Sequence, residues 1–113
     1  MNSDFKQNAK ESFQILRALK HRFRITLLQV IAENDAITVT DIRFRLREIL
    51  RMNTEQSIVS QHLAILRKAN IVFYMKKGKE HYYTVNYPMI DKIKSVTKQL
   101  ANGVIAKELI EQD

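Results

Sequence analysis

A chain of 113 residues with 45% hydrophobic side chains is long enough for one modest core and too apolar for disorder to be its default. With no cysteine it has no disulfide scaffold, thiolate metal site or redox thiol, and two glycines and one proline leave few sharp turns, so it reads as mostly helical. The net charge is +7, no apolar run is long enough to span a bilayer, and the stretch carrying Asp4, Lys6, Lys10 and Glu11 lacks a signal peptide's apolar centre, which makes the cytoplasm the expected compartment.

From about Ser3 to Leu19, Phe5, Ala9, Phe13 and Leu16 recur at helical spacing, with Ser3 and Asp4 available to cap the start. A second amphipathic helix spans about His21 to Ala32, carried by Phe23, Leu27, Val30 and Ile31 and broken by Glu33, Asn34 and Asp35. A third begins near Thr38 or Thr40, with Ile42, Leu46, Ile49 and Leu50 on one stripe and Arg43, Arg47 and Arg51 on another. Met52, Asn53 and Thr54 interrupt it. Asn53 or Thr54 is the expected N-cap of the next helix, and Asn53 with Gln56 makes a capping-box variant.

The fourth helix is predicted from about Glu55 to Lys68, with Val59, Leu63 and Leu66 inward, supported by Ile58, Ile65 and Ala69; Asn70 follows where a helix end takes a left-handed residue. The period then changes. Ile71–Lys76 and Glu80–Val85 are rich in β-branched and aromatic residues and flank Lys77-Gly78-Lys79, the pattern of an antiparallel hairpin, in which Tyr82 and Tyr83 point to opposite faces. Pro88 suits the first turn of a last helix bearing Met89, Ile93, Val96 and Leu100.

Charge singles out the middle of this order. Residues 40–81 hold nine basic and four acidic side chains, against six and four before them and four and four after. A polar-tipped helix followed by a basic hairpin is the arrangement that enters a DNA major groove and lays a wing over the backbone. Residues 1–113 therefore read as a single winged helix-turn-helix domain, α+β but mostly α, with four helices, a β-hairpin wing at 71–85, a C-terminal helix, and the helix-turn-helix at about 38–70. Gln56, Ser57, Ser60 and Gln61, near the N-terminus of the fourth helix, can donate and accept hydrogen bonds at base edges or phosphates.

The stretch Ser57-Ile58-Val59-Ser60-Gln61-His62-Leu63-Ala64-Ile65-Leu66-Arg67 resembles the recognition-helix signature of the ArsR-type repressors. Ile71-Val72 with Gly78-Lys79 and Tyr82-Tyr83-x-Val85 resembles that family's wing, and Ala18-Leu19 with Arg24-x-x-Leu27-Leu28 its second helix, so the likeness covers about residues 15–100. The resemblance implies a homodimer that represses by occupying an approximately palindromic stretch of double-stranded DNA. It implies base or phosphate contacts from Gln56, Ser57, Ser60 and Gln61, and backbone or minor-groove contacts from Lys76, Lys77 and Lys79. Arg43, His62 and Arg67 complete the candidate DNA-binding set, although His62 is more often a packed helix residue than a base contact. The implied dimer interface joins the first and last helices through Phe5, Ala9, Phe13, Met89, Ile93, Val96 and Leu100.

Three departures from the family stand out. Thr38 and Thr40 occupy the places of the Cys-x-Cys pair in metal-sensing members, and hydroxyls do not hold such metals. On the last helix Asp91 is present, but Ile93 lies where a histidine ligand would follow. His21, His62 and His81 come from different elements without ligand spacing, so no metal or other cofactor is expected, and an inducer would be a small molecule or a protein. About six extra residues near Arg47 to Asn53 are expected to lengthen the third helix. Catalysis is not expected, because the chain has no phosphate-cradling glycine loop and Ser60 and His62 point apart on one helix. The alternatives are a winged-helix protein-interaction module and an RNA binder stacking bases on Phe73, Tyr74, Tyr82 and Tyr83.

Overall fold

Ser3–Leu19 form α1, the first element of the computed structural model, which describes residues 3–101. Its buried face is Ala9, Ser12, Ile15 and Ala18, while Leu16 is exposed and Phe13 half-buried, so the apolar stripe is rotated from the one that the large side chains suggest. Small residues are the reason. They let α1 lie close to the last helix, where Ser12 Oγ donates to the Lys92 carbonyl at 3.4 Å and Lys92 Nζ meets Glu11 at 2.9 Å. These contacts hold Glu11 below the usual carboxylate range, chiefly through the Lys92 hydrogen bond and then that of Gln7.

Helix α2, Arg22–Ala32, starts where His21 Nδ1 accepts the Phe23 amide at 3.2 Å, and it buries Leu27, Val30 and Ile31. The short strand β1, Ile37–Thr38, has no counterpart among the elements predicted from sequence. Thr38 also caps α3, Val39–Leu50, by accepting the Asp41 amide at 3.2 Å. The helix ends at Arg51, whose φ of 60° is left-handed. The stretch expected to lengthen this helix is thus divided between its last turn and an irregular connection. Ile49 is exposed rather than on the buried stripe with Ile42 and Leu46, whereas its neighbour Leu50 is half-buried against the core.

Helix α4, Gln56–Lys68, fully buries Val59, Leu63 and Leu66. Its N-cap is Glu55, which makes no side-chain cap bond, so neither Asn53 nor Thr54 plays that part; the Thr54 carbonyl instead accepts from Arg43 Nε at 3.0 Å. Asn70 takes the left-handed conformation at the exit, with φ 60°. Strands β2, Val72–Lys77, and β3, Glu80–Val85, pair antiparallel from Val72↔Val85 to Lys77↔Glu80. Gly78, φ 64°, takes the first of two loop positions, where a left-handed residue suits a tight hairpin. β1 adds to the other edge of β3 through Ile37↔Tyr83 and Thr38↔Tyr82, giving the sheet order β1-β3-β2.

Asn86 closes the base of the hairpin. Its amide donates to the Ile71 carbonyl at 2.8 Å, its Nδ2 donates to the Asn70 carbonyl at 2.9 Å, and its Oδ1 accepts from Met89 N at 3.4 Å at the start of α5, Tyr87–Ala101. One core runs through all these elements, from Ile15 and Ala18 through Leu27, Ile31, Ile42, Leu46 and Leu63 to Tyr83 and Val85, with Met89 and Ile90 packed against it. This is a mostly helical winged helix with a small antiparallel sheet, as the element order predicts.

Candidate nucleic-acid interface

At about 100° per residue, Ser57 and Gln61 fall opposite Val59, Leu63 and Leu66, with Ser60 about 90° and Gln56 about 50° from the centre of that stripe, and all four are exposed. The buried triplet anchors the helix, so the polar face is presented on a rigid support. Gln56 and Ser57 are the first two residues of the helix, where backbone amides lack intrahelical partners and no side chain caps them. Ile58 and Ile65, expected to support the inward stripe, lie about 105° and about 125° from its centre and are 43% and 40% exposed. Ile58 therefore adds an apolar edge to the helix tip.

The wing stands beside this tip. Lys76, Lys77 and Lys79 are all exposed, and Lys77 Nζ lies 6.0 Å from the centre of the Tyr82 ring. Thr40, Gln56, Lys79 and His81 line an open cleft of about 290 Å³ between the start of α3, the tip of α4 and the wing. Tyr83 points into the core, where burial pushes its phenol above the ordinary range, while the half-buried Tyr82 takes the other face with exposed Phe73 and Met75.

Three other residues of the sequence-derived set make internal contacts. The Arg67 guanidinium lies 5.0 Å from the centre of the Tyr74 ring, and Tyr74 stacks on His81 at 4.1 Å, so Arg67 ties the back of α4 to the inner face of the wing. Arg43 is fastened to the Thr54 carbonyl. His62 packs against His21 and Phe23, with ring centres 4.8 and 4.7 Å away, and Arg24 Nη1 lies 3.4 Å from its Nδ1. Arginine can only donate, so Nδ1 accepts and the imidazole is neutral. Burial, then the charges of His21 and Arg24, hold its pKa below the ordinary histidine value. Arg24 Nε also donates to the Ala18 carbonyl, making this arginine, which the second-helix motif contains without giving it a role, a strut between α1, α2 and α4.

Among the described residues no group of three or more histidines and carboxylates converges as a metal site, even though folding brings His21 and His62 together. Of the implied dimer set, Ala9 is 1% exposed and covered within its own chain, while half-buried Met89 packs partly on its own core. Phe13 is half-buried with Arg17 over its ring. The side chains of Phe5, Ile93, Val96 and Leu100 lie outside the described residues. No helix among the described residues is long and apolar enough to cross a membrane.

The family model for bacterial regulatory proteins of the arsR family matches residues 24–74, from α2 to the middle of β2. An uncharacterized HTH-type transcriptional regulator of Methanocaldococcus jannaschii is 30% identical over 89 residues, which are 79% of this chain and 90% of that one. Among solved structures, HlyU from Vibrio cholerae is 25% identical with a TM-score of 0.63, covering 80% of this chain and 92% of its own. An ArsR-like transcriptional regulator from Rhodococcus shares the fold at 17% identity and a TM-score of 0.67, covering 91% and 92% of the two chains.

Proposed function

Because the chain belongs to the ArsR family of bacterial regulatory proteins, and so is a DNA-binding transcriptional regulator and not an enzyme, we propose that it is a homodimeric repressor occupying an approximately palindromic operator. Residues 1–113 act as one winged-helix unit. The observation that carries this reading is the exposed polar tip of α4 beside a lysine-bearing wing: among the described residues no carboxylate pairs with Lys76, Lys77 or Lys79. Gln56, Ser57, Ser60 and Gln61 read base edges, while Lys76, Lys77 and Lys79 hold phosphates. Arg43, His62 and Arg67 position the helix and the wing.

The second copy docks through the face of α1 bearing Phe13 and exposed Leu16, together with the outer face of α5. Two-fold symmetry then spaces two recognition helices about one DNA turn apart. The protein works in the cytoplasm, where repression follows from occupancy and is relieved by a small molecule or a protein partner.

Selection of bound sequences from a random duplex pool tests this directly. The expected product is a palindrome with half-sites about ten base pairs apart, bound with affinity that falls steeply as salt rises. Enrichment of no sequence, with affinity independent of salt, refutes the reading and favours a protein-binding module.

A further inference from the structure

Where α1, α2 and the end of α4 meet, they border an open cleft of about 310 Å³ that shares no residue with the wing cleft. Helix α1 gives it Gln14, Arg17 and Ala18, α2 gives Arg24, and α4 with its C-cap gives Ile65, Lys68 and Ala69. Its lining thus includes three cations and no carboxylate. Arg17 and Lys68 stand in the last turns of α1 and α4, where a cation is ordinary. Arg24 is different. It stands in the first turn of α2, where the helix end is itself positive, and no acidic residue in that turn offsets it.

Arg24 is also held in place. It spends one N–H on the Ala18 carbonyl and turns another toward His62 Nδ1, and the rest of its fork has no acceptor among the described residues. Lys68 is exposed, and among the described residues no carboxylate pairs with it or with Arg24. Ile65, 40% exposed, supplies apolar surface beside them, with Ala18 and Ala69. A fixed guanidinium edge and an ammonium next to apolar surface suit an anionic head group carried on an apolar body. The cleft reaches the lower end of the range for small-molecule sites, about 300 Å³.

We propose that this cleft is the inducer site and that its ligand is a small organic anion, a carboxylate or phosphate on an apolar body, whose binding releases DNA. The proposal rests on the reading of the chain as a DNA-binding dimer and names the chemistry of its inducer. Ile65 and Lys68 lie about 14 and 18 Å along α4 from Gln56, so a ligand there leaves the first turn of the helix uncovered and acts through charge and position. Charge gives the sign: an anion held against α4 opposes a polyanion on the same helix. Position gives the coupling. Arg24 joins the Ala18 carbonyl of α1 to His62 of α4, so a ligand drawing on its fork bears on the joint that seats α4. A neighbouring cleft of about 390 Å³, lined by Lys10, Phe13, Gln14 and Arg17, shares Gln14 and Arg17 with it and includes Phe13 of the proposed dimer face.

The test titrates the isotope-labelled full chain with benzoate, phenyl phosphate, benzamide and inorganic phosphate, following backbone amide shifts. Affinity for the selected operator is then measured with and without each probe at constant ionic strength. Benzoate or phenyl phosphate is expected to give saturable shifts at the residues lining the cleft and to weaken operator binding by about fivefold or more, with operator weakening the probe by the same factor. Lys68→Gln should lower probe affinity by roughly 3–10-fold, and Arg45→Gln, which removes the same charge from an exposed position outside the cleft, should leave it unchanged. Absence of saturable shifts with both organic anions overturns the proposal. So does benzamide binding as tightly as benzoate, inorganic phosphate as tightly as phenyl phosphate, or equal losses in Lys68→Gln and Arg45→Gln. A chain that selects an operator and binds it equally well with saturating anion overturns this inference alone. One that ignores every duplex overturns the repressor reading, while the amide titration still reports on the cleft, so the two failures are distinguishable.

Discussion

Asn86 joins three elements with one side chain, and its loss can be worked out bond by bond. Its Oδ1 accepts from Met89 N at the start of α5, and its Nδ2 reaches the Asn70 carbonyl at the exit of α4. Removing an Asn cap costs about 1 kcal/mol. The Nδ2 bond is exposed and adds a net ~0.5–1 kcal/mol, so Asn86→Ala should destabilise the protein by about 1.5–2 kcal/mol. For a chain of this length that is a fall in melting temperature of roughly 6–12 °C. Asn86→Asp keeps an acceptor, with a negative charge suited to a helix start, and loses only the donor; about 0.5–1 kcal/mol is expected. Urea unfolding at one fixed protein concentration measures both, since the proposed dimerisation would make the midpoint concentration-dependent. If Asn86→Ala unfolds within about 0.5 kcal/mol of wild type, or Asn86→Asp is as unstable as Asn86→Ala, this account of the wing base is wrong.

Gln61→Ala should relax preference at one operator position by about 1–3 kcal/mol, whereas Lys77→Ala should weaken every duplex by a similar factor; binding to a panel of single-base operator variants separates them. Leu63→Ala, at a fully buried position, should cost about 2–5 kcal/mol in chemical denaturation. His62 has a folded pKa below its unfolded value near 6.5, so the unfolded chain binds more protons and stability rises with pH through that window. Its contribution is full above about pH 6.5 and is lost as pH falls through the folded value, so His62→Gln should flatten the urea midpoint between about pH 7.5 and about pH 5. Parallel profiles for wild type and variant would contradict the packed, neutral imidazole.

Local patterns carry much of the fold. Helical spacing of large apolar residues marks α2 and α4, the switch to alternation marks the hairpin, and Asn70 announces its own left-handed turn. What they leave out is set by tertiary contact. Strand β1 is two residues long and exists because β3 offers a free edge to Ile37 and Thr38, an arrangement that no period in the chain reveals. The buried face of α1 is hidden from the sequence because Ala9, Ser12 and Ala18 bury themselves through closeness to neighbouring elements rather than through hydrophobic bulk.

The candidate site shows the same division more sharply. Exposed polar residues at a helix tip can be recognised from spacing alone, because the buried triplet opposite them dictates which way they face. Cations are different: a count of arginines says nothing about which are already engaged. Arg43 is engaged by the Thr54 carbonyl, while Arg67 and Arg47 lie over the Tyr74 and Phe44 rings and have no counter-ion among the described residues. Those three side chains carry equal charge but have unequal capacity for a polyanion, because a guanidinium already donating inward, as Arg43 does, has fewer hydrogen bonds to offer a phosphate. The positive middle of the chain is therefore a mixture of struts and contacts, and only the geometry around each arginine tells one from the other.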